Sequence, residues 1–158
     1  MNQELLHKLF DYKDGLLFWK SKRNGIKPNK QAGWLSENGY WCIKVNKQIF
    51  RRHRIVFAMH HGFMPEFIDH INGIKNDDKI ENLREATKTQ NQYNTKLRKN
   101  NTSGVKGITW HKRIEKWAIQ ITVNKKKHHI GYFDDIELAE LVIQEARNKY
   151  HKEFANHG

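Results

Sequence analysis

Asp69 and His70 stand side by side at the end of a short apolar run, Phe67-Ile68. Polar residues then recur at Asn72, Asn76, Asp77, Asp78, Asn82 and Asn91. Hydrolysis of a phosphodiester needs an activated water, a cation to offset charge on the phosphate, and help for the departing oxygen. Histidine, with an ordinary pKa near neutrality, suits the activation of water. Asp and Asn supply the oxygen ligands that a hard divalent cation takes. Each residue alone has a plain structural explanation: a turn cap, a satisfied buried imidazole, a loop former. Together, at these spacings, they argue for a site.

Positioning them makes demands on the chain. Adjacent strand residues face opposite ways, so Asp69 and His70 can share a site only if the strand ends or bends there. Asn72-Gly73 and Asn76-Asp77-Asp78 provide the turn, and the segment from Glu81 to Thr87 reads as a returning strand. Thr87 or Thr89 can then cap a helix carrying Gln90, Asn91, Tyr93 and Asn94. Strand, loop, strand and helix would allow Asp69, His70 and Asn91 to converge.

Ile68-Asp69-His70-Ile71-Asn72-Gly73, then Asn76-Asp77-Asp78, Ile80-Glu81-Asn82-Leu83-Arg84 and Gln90-Asn91 closely resemble the HNH homing endonucleases of bacteriophages. The resemblance implies a ββα-metal finger with His70 as the general base that activates water. It implies that Asp69 and Asn91 ligate one divalent metal ion, and that Asn82 braces the loop and orients the site. With Asn91 where many HNH nucleases have histidine, the motif resembles the H-N-N variant, which favours oxygen-ligated Mg2+ or Mn2+ over zinc. The upstream His53-Arg54 also fits these phage proteins, as a structural or phosphate-contacting pair. His60-His61 and His128-His129 have no acid beside them and read as ordinary surface or structural histidines.

Ahead of this motif, Leu5, Leu6, Leu9 and Phe10 have helical spacing, and Asp14-Gly15 is a turn before Leu16-Leu17-Phe18-Trp19. Gly33-Trp34-Leu35, Tyr40 to Val45 and Gln48-Ile49-Phe50 suggest further short strands, turning at Asn38-Gly39 and Asn46-Lys47. The run Ile55 to Met59 is compatible with a helix ending at Gly62. The tryptophans of this region read as core.

The partner is announced by charge. The 158 residues carry a formal net charge of +12, and the pI is about 9.8, which points to a polyanion and to nucleic acid before membrane. Between Lys20 and Arg54 the basic residues are interrupted by a single acid, Glu37. No acid at all lies between Glu85 and Glu115. Acid-free basic stretches favour phosphate contact, so Arg51, Arg52, Arg54, Lys96, Arg98, Lys99, Lys106 and Arg113 are expected at DNA. A lone cysteine, Cys42, excludes an internal disulfide and a cysteine-based zinc site. No apolar run is long enough for a membrane span and no signal peptide is evident, so a cytoplasmic protein is expected.

Residues 99–106 are polar, small and basic, and read as a linker. Beyond them, Gly107 to His111, Trp117 to Val123 and Lys127 to Phe133 read as three strands, with Asn124-Lys125 a tight turn. A helix follows from about Ile136, with Ala139, Val142, Ile143, Ala146 and Tyr150 as its apolar stripe. Alternation puts Trp117, Ile119, Ile121 and Val123 against that helix. It sends Ala118, Gln120, Thr122, Thr109, His111, Lys127 and His129 outward, a polar face suited to reading a major groove. Gly104 to Ile108, Lys116-Trp117 and Ile130 to Asp134, followed by an alanine-containing helix, resemble the ethylene-response-factor (apetala-two) DNA-binding domain, which lays such a sheet in the major groove.

The expected protein is therefore α+β. Residues 1–66 form an antiparallel sheet region, 67–98 an HNH ββα-metal nuclease motif, 99–106 a basic linker, and 107–158 a three-stranded sheet with a helix that binds DNA. The function implied is a metal-dependent, homing-type DNA endonuclease acting on double-stranded DNA, with no protein partner evident and monomer or dimer undecided. The competing readings are a non-catalytic sequence-specific DNA-binding regulator and an RNA-binding accessory protein.

Overall fold

The computed structural model describes residues 2–22, 25–95, 97 and 99–157. Lys96 and Arg98, two of the expected DNA contacts, lie outside the described residues. The protein is α+β, built from small antiparallel sheets with helices between them, and it divides into two compact units, Met1–Ala86 and Thr87–Gly158.

In the first unit, α1 (Gln3–Leu9) leads directly into the hairpin of β1 (Phe10–Lys13) and β2 (Leu16–Trp19). Asp14-Gly15 makes the turn because both residues take positive φ, 49° and 81°, the geometry a two-residue hairpin needs. A three-stranded sheet follows in the order β3 (Trp34–Leu35), β4 (Trp41–Val45), β5 (Gln48–Arg51), with Asn46-Lys47 as its second tight turn. The chain then enters α2 (Arg52–His61), which ends at Gly62 in the left-handed conformation. Ile55, Val56, Phe57, Ala58 and Met59 of α2 are all buried, together with Leu6, Phe10, Leu17, Trp19, Ile43 and Val45 from the surrounding elements. Each such large apolar side chain contributes roughly 1.5–3 kcal/mol by leaving water. The helix is thus the spine of the unit. Last come β6 (Phe67–His70) and β7 (Leu83–Ala86), paired antiparallel with His70 opposite Leu83 and Asp69 opposite Arg84.

The return from the loop differs from expectation in one detail. Glu81 and Asn82 belong to a 3₁₀ turn, Ile80–Asn82, and the strand begins only at Leu83. The side chain of Asn82 is committed to the loop, and the Ile80 amide donates to the Tyr12 hydroxyl at 3.0 Å.

The second unit opens with α3 (Lys88–Tyr93), whose Thr87 cap and Gln90 form a reciprocal capping box. The division between units therefore falls upstream of residues 99–106. That segment is held by hydrogen bonds from Asn101 and Ser103 to Val105 and from Lys106 to the carbonyls of Tyr93 and Thr95. Strands β8 (Ile108–His111), β9 (Lys116–Val123) and β10 (Lys126–Phe133) form a sheet in the order β10-β9-β8, turning at Asn124-Lys125 with positive φ. Helix α4 (Ile136–His151) packs on it, closing a core of Ile108, Ile119, Ile121, Ala139 and Ile143. Alternation holds for Ile119 and Ile121. Ala118, expected outward, is buried between Thr109 and Tyr132 of the flanking strands. At the end of α4, Tyr150 is 48% exposed, and the inner stripe runs instead through Ala139, Ile143, Arg147 and His151, all buried.

Candidate active site

The first unit concentrates its buried polar residues at one place. Arg52, His53, Asp69, His70 and Asp78 are each buried, which an ionisable side chain tolerates only with partners. β6 stops at His70, as a shared site requires, but His70 and Asp69 engage different groups. The His70 ring meets Asp78 through Nε2 to Oδ1 at 2.8 Å. The other oxygen of Asp78 accepts from Arg52 Nε at 2.7 Å, and Arg52 Nη2 donates to the Asn76 carbonyl at 2.9 Å. Asp69 pairs across the ladder with Arg84, whose Nε and Nη2 reach Oδ2 at 2.9 and 2.7 Å.

The loop between the strands is locked by asparagine. Asn82 Oδ1 accepts from the Asn72 amide at 3.0 Å, while its Nδ2 donates to Asn72 Oδ1 at 3.0 Å and to the Asp77 carbonyl at 2.7 Å. Asn72 Nδ2 in turn donates to Asp77 at 2.6 Å. The loop is held from outside as well. A Cβ on Gly15, in the β1–β2 turn, would lie 2.6 Å from the Lys79 nitrogen and 2.8 Å from the Asp78 carbonyl carbon. Only glycine lets the hairpin press so closely on the backbone that carries Asp78.

His53 lies beside His70, ring edge to face with centroids 4.9 Å apart. Burial pushes the His53 imidazole down to about 3, with His70, Arg51 and Arg54 acting in the same direction and Asp78 opposing. It is therefore neutral near physiological pH and keeps a lone pair. Ligand atoms of His53, His70 and Asp78 all lie within 4.8 Å of one another. Two imidazoles and a carboxylate are a donor set that suits transition-metal ions, so this chemistry fits a divalent cation.

The structure redistributes the residues that the sequence singles out. Arg52 is not a surface phosphate contact: it is 2% exposed and its guanidinium is bound to Asp78. Arg54 donates to the carbonyls of Pro65 and Glu66, tying α2 to the start of β6. Arg51 is exposed and lies over the Tyr40 ring at 4.2 Å. Asn91 is on α3, in the second unit. Lys99, Thr109, Arg113, Gln120, Thr122, Lys127 and His129 are exposed, His111 and Lys106 are half-buried, and His111 Nδ1 is buried with no hydrogen-bond partner. Sequence reasoning assigned Asp78 to a turn and missed its pairing with His70. The signal available was weak: an arginine-histidine pair opening a helix, and two aspartates in a loop where one suffices for a turn.

A histidine hydrogen-bonded to a buried aspartate closes a two-stranded ladder, beside a loop braced by asparagine. Residues 50–93 match the HNH endonuclease family, and the chain carries an HNH endonuclease domain there. The chain belongs to the same family as protein 3.8 of Escherichia phage T7, to which it is 38% identical over 117 residues, 71% of this chain and 96% of that protein. No solved structure matches the chain. Among the described residues, no helix is long and apolar enough to cross a membrane.

Proposed function

We propose that this protein is a metal-dependent endonuclease that hydrolyses phosphodiester bonds of double-stranded DNA in the host cytoplasm. In this reading residues 67–98 cut, and residues 107–158 supply site preference, as in a homing-type enzyme. The observation that carries it is the buried chain Arg52–Asp78–His70 inside the segment that matches HNH endonucleases.

With His70 Nε2–H donating to Asp78, the ring's basic lone pair falls on Nδ1. His70 accepts a proton from water at that atom as the water oxygen bonds to phosphorus, and the bond from phosphorus to the 3′ oxygen breaks. Arg52 keeps Asp78 turned toward His70, so the tautomer is set before substrate arrives. Asn82 holds the loop in register. Asp69 and Asn91 are the proposed ligands of one divalent ion, Mg2+ or Mn2+, which when bound offsets charge on the phosphate and on the leaving oxygen. The exposed polar face of β8–β10 is the proposed reader of the DNA groove.

The cluster of His53, His70 and Asp78 favours a second reading of the metal, in which these three hold it and His70 is a ligand in place of a base. Plasmid nicking with Mg2+ or Mn2+ tests both. The first reading expects His70→Ala to abolish nicking and His53→Gln to leave metal dependence unchanged. Weakened metal affinity in His53→Gln favours the second. Absence of cutting with any divalent metal removes the enzyme reading and leaves a DNA-binding regulator.

A further inference from the structure

The second unit contains a cavity of about 730 Å³ where β9 runs past the end of β8 and the last turns of α4 cross beneath it. Among the described residues, four basic side chains line it, Lys106, Lys125, Arg147 and His151, and no carboxylate does. Arg147 is 2% exposed and His151 8%. Among the described residues, the hydrogen-bond partners of Lys106 and Arg147 are neutral oxygens. Lys106 Nζ donates to the carbonyls of Tyr93 and Thr95 at 2.9 and 2.6 Å, and Arg147 donates to the carbonyls of Lys106 and His157. Carbonyl dipoles satisfy hydrogen bonds without cancelling charge, and burying net charge is costly. Glu140 acts favourably on Arg147 but does not line the cavity. Burial, and after it the nearby Arg147, pushes the Lys106 ammonium down to about 8.

His151 adds an unfilled position. Its Nε2 faces the Thr122 carbonyl at 2.9 Å, so that nitrogen carries the hydrogen, while Nδ1 is buried with no hydrogen-bond partner. Buried polar atoms are ordinarily partnered. Burial, with Lys106 and Arg147, holds the imidazole below its ordinary pKa against the Thr122 hydrogen bond, so Nδ1 of the free ring carries a lone pair. A bound phosphate that offsets those cations lets Nδ1 take up a proton and donate it, completing the ring's hydrogen bonding. The ring is fixed in place by Tyr93, stacked on it at 3.7 Å and 7°.

We propose that this cavity is a phosphate-binding site, seating a phosphate mono- or diester on Lys106, Arg147 and His151. The volume lies in the range of small-ligand sites and leaves room for a group attached to the phosphate. Thr109, Gln120 and Thr122 border the cavity and are also exposed on the sheet. A backbone phosphate of DNA lying on that face is one source, and a free nucleotide is the other. The assignment does not depend on the nuclease reading, since every group in it belongs to the second unit.

The test follows the His151 ring nitrogens by NMR in the full chain. The probes are inorganic phosphate, a 5′-mononucleotide and a short DNA duplex. A saturable shift of Nδ1 with any of them is expected. Response to the nucleotide identifies a free ligand, and response to the duplex alone identifies the backbone. Lys106→Met should weaken that response roughly tenfold, the loss of one charge-assisted hydrogen bond, while Lys112→Met, on the exposed β8–β9 turn, should not. If Lys106→Met is poorly folded, His151→Gln must weaken binding of the same probe by gel shift or calorimetry. The proposal is overturned if no probe moves His151, or if the Lys106 and Lys112 variants lose binding equally. Cutting activity does not enter the readout, so failure here leaves the nuclease reading intact.

Discussion

At the residue scale, the consequence of burying Arg52, Asp78 and His70 together is that each depends on the others. Asp78→Asn keeps the shape and offers His70 an N–H where it had an acceptor, which disfavours the tautomer with its lone pair on Nδ1. Nicking should fall by roughly 10²–10⁴, the range of general-base effects, with little change in DNA affinity by gel shift. Arg52→Met should instead act on stability, by about 3–5 kcal/mol, because it strands a buried carboxylate; urea unfolding measures it. His53 carries a pH signature. Its folded pKa of about 3 lies below the ordinary value of 6.5, so between those values the unfolded chain binds more protons and stability falls as pH drops. The slope for one such group reaches about 1.4 kcal/mol per pH unit. His53→Phe should flatten it. Equal slopes in wild type and variant would show that His53 is not buried neutral. Asp69, His70 and Asn82 could be singled out from the sequence as candidates because they share one short segment, but that Asp69 turns to Arg84 while His70 turns to Asp78 could not. His53 and Asp78 were not legible, because their meeting is tertiary, between the first turn of α2 and a distant loop.

At the scale of elements, turns were the most legible feature. Asp14-Gly15, Asn46-Lys47 and Asn124-Lys125 all take positive φ; Asp, Asn and Gly tolerate it, Lys47 and Lys125 follow the hairpin geometry, and chemistry of that kind is local. Helix ends were less so. The expected stripe of α4 counted Tyr150 as apolar, yet the inward positions are Arg147 and His151, since β9 outruns β8 there and leaves polar backbone to be met. The β1–β2 turn yields a prediction of its own. Gly15→Ala must add a methyl at φ 81° and 2.6 Å from Lys79, which should destabilise by about 1–3 kcal/mol. Because the displaced backbone bears Asp78, nicking should drop further than the loss of folded protein explains. A variant that cuts normally per folded molecule would separate the turn from the site.

At the scale of the whole molecule, two units invite dissection. Residues 1–86 hold their own core and should unfold cooperatively as a fragment, with His70 and Asp78 in place. Lacking Asn91, that fragment should not cut if Asn91 is a metal ligand; cutting by it would strike Asn91 from the site. In the full chain, a net charge of +12 predicts steep loss of DNA affinity with salt, as displaced counterions return, and a flat salt response would argue against duplex DNA as the partner. The hairpin that presses Gly15 against Lys79 and lends the Tyr12 hydroxyl to Ile80 bears also on what any transplanted copy of this domain must include. The segment that matches the family begins at residue 50, yet the wall of its loop is made from residues 12 and 15. Recombination at the edges of the recognisable motif would transfer the chemistry without its mould. The inheritable cassette is longer than the signature by which it is found.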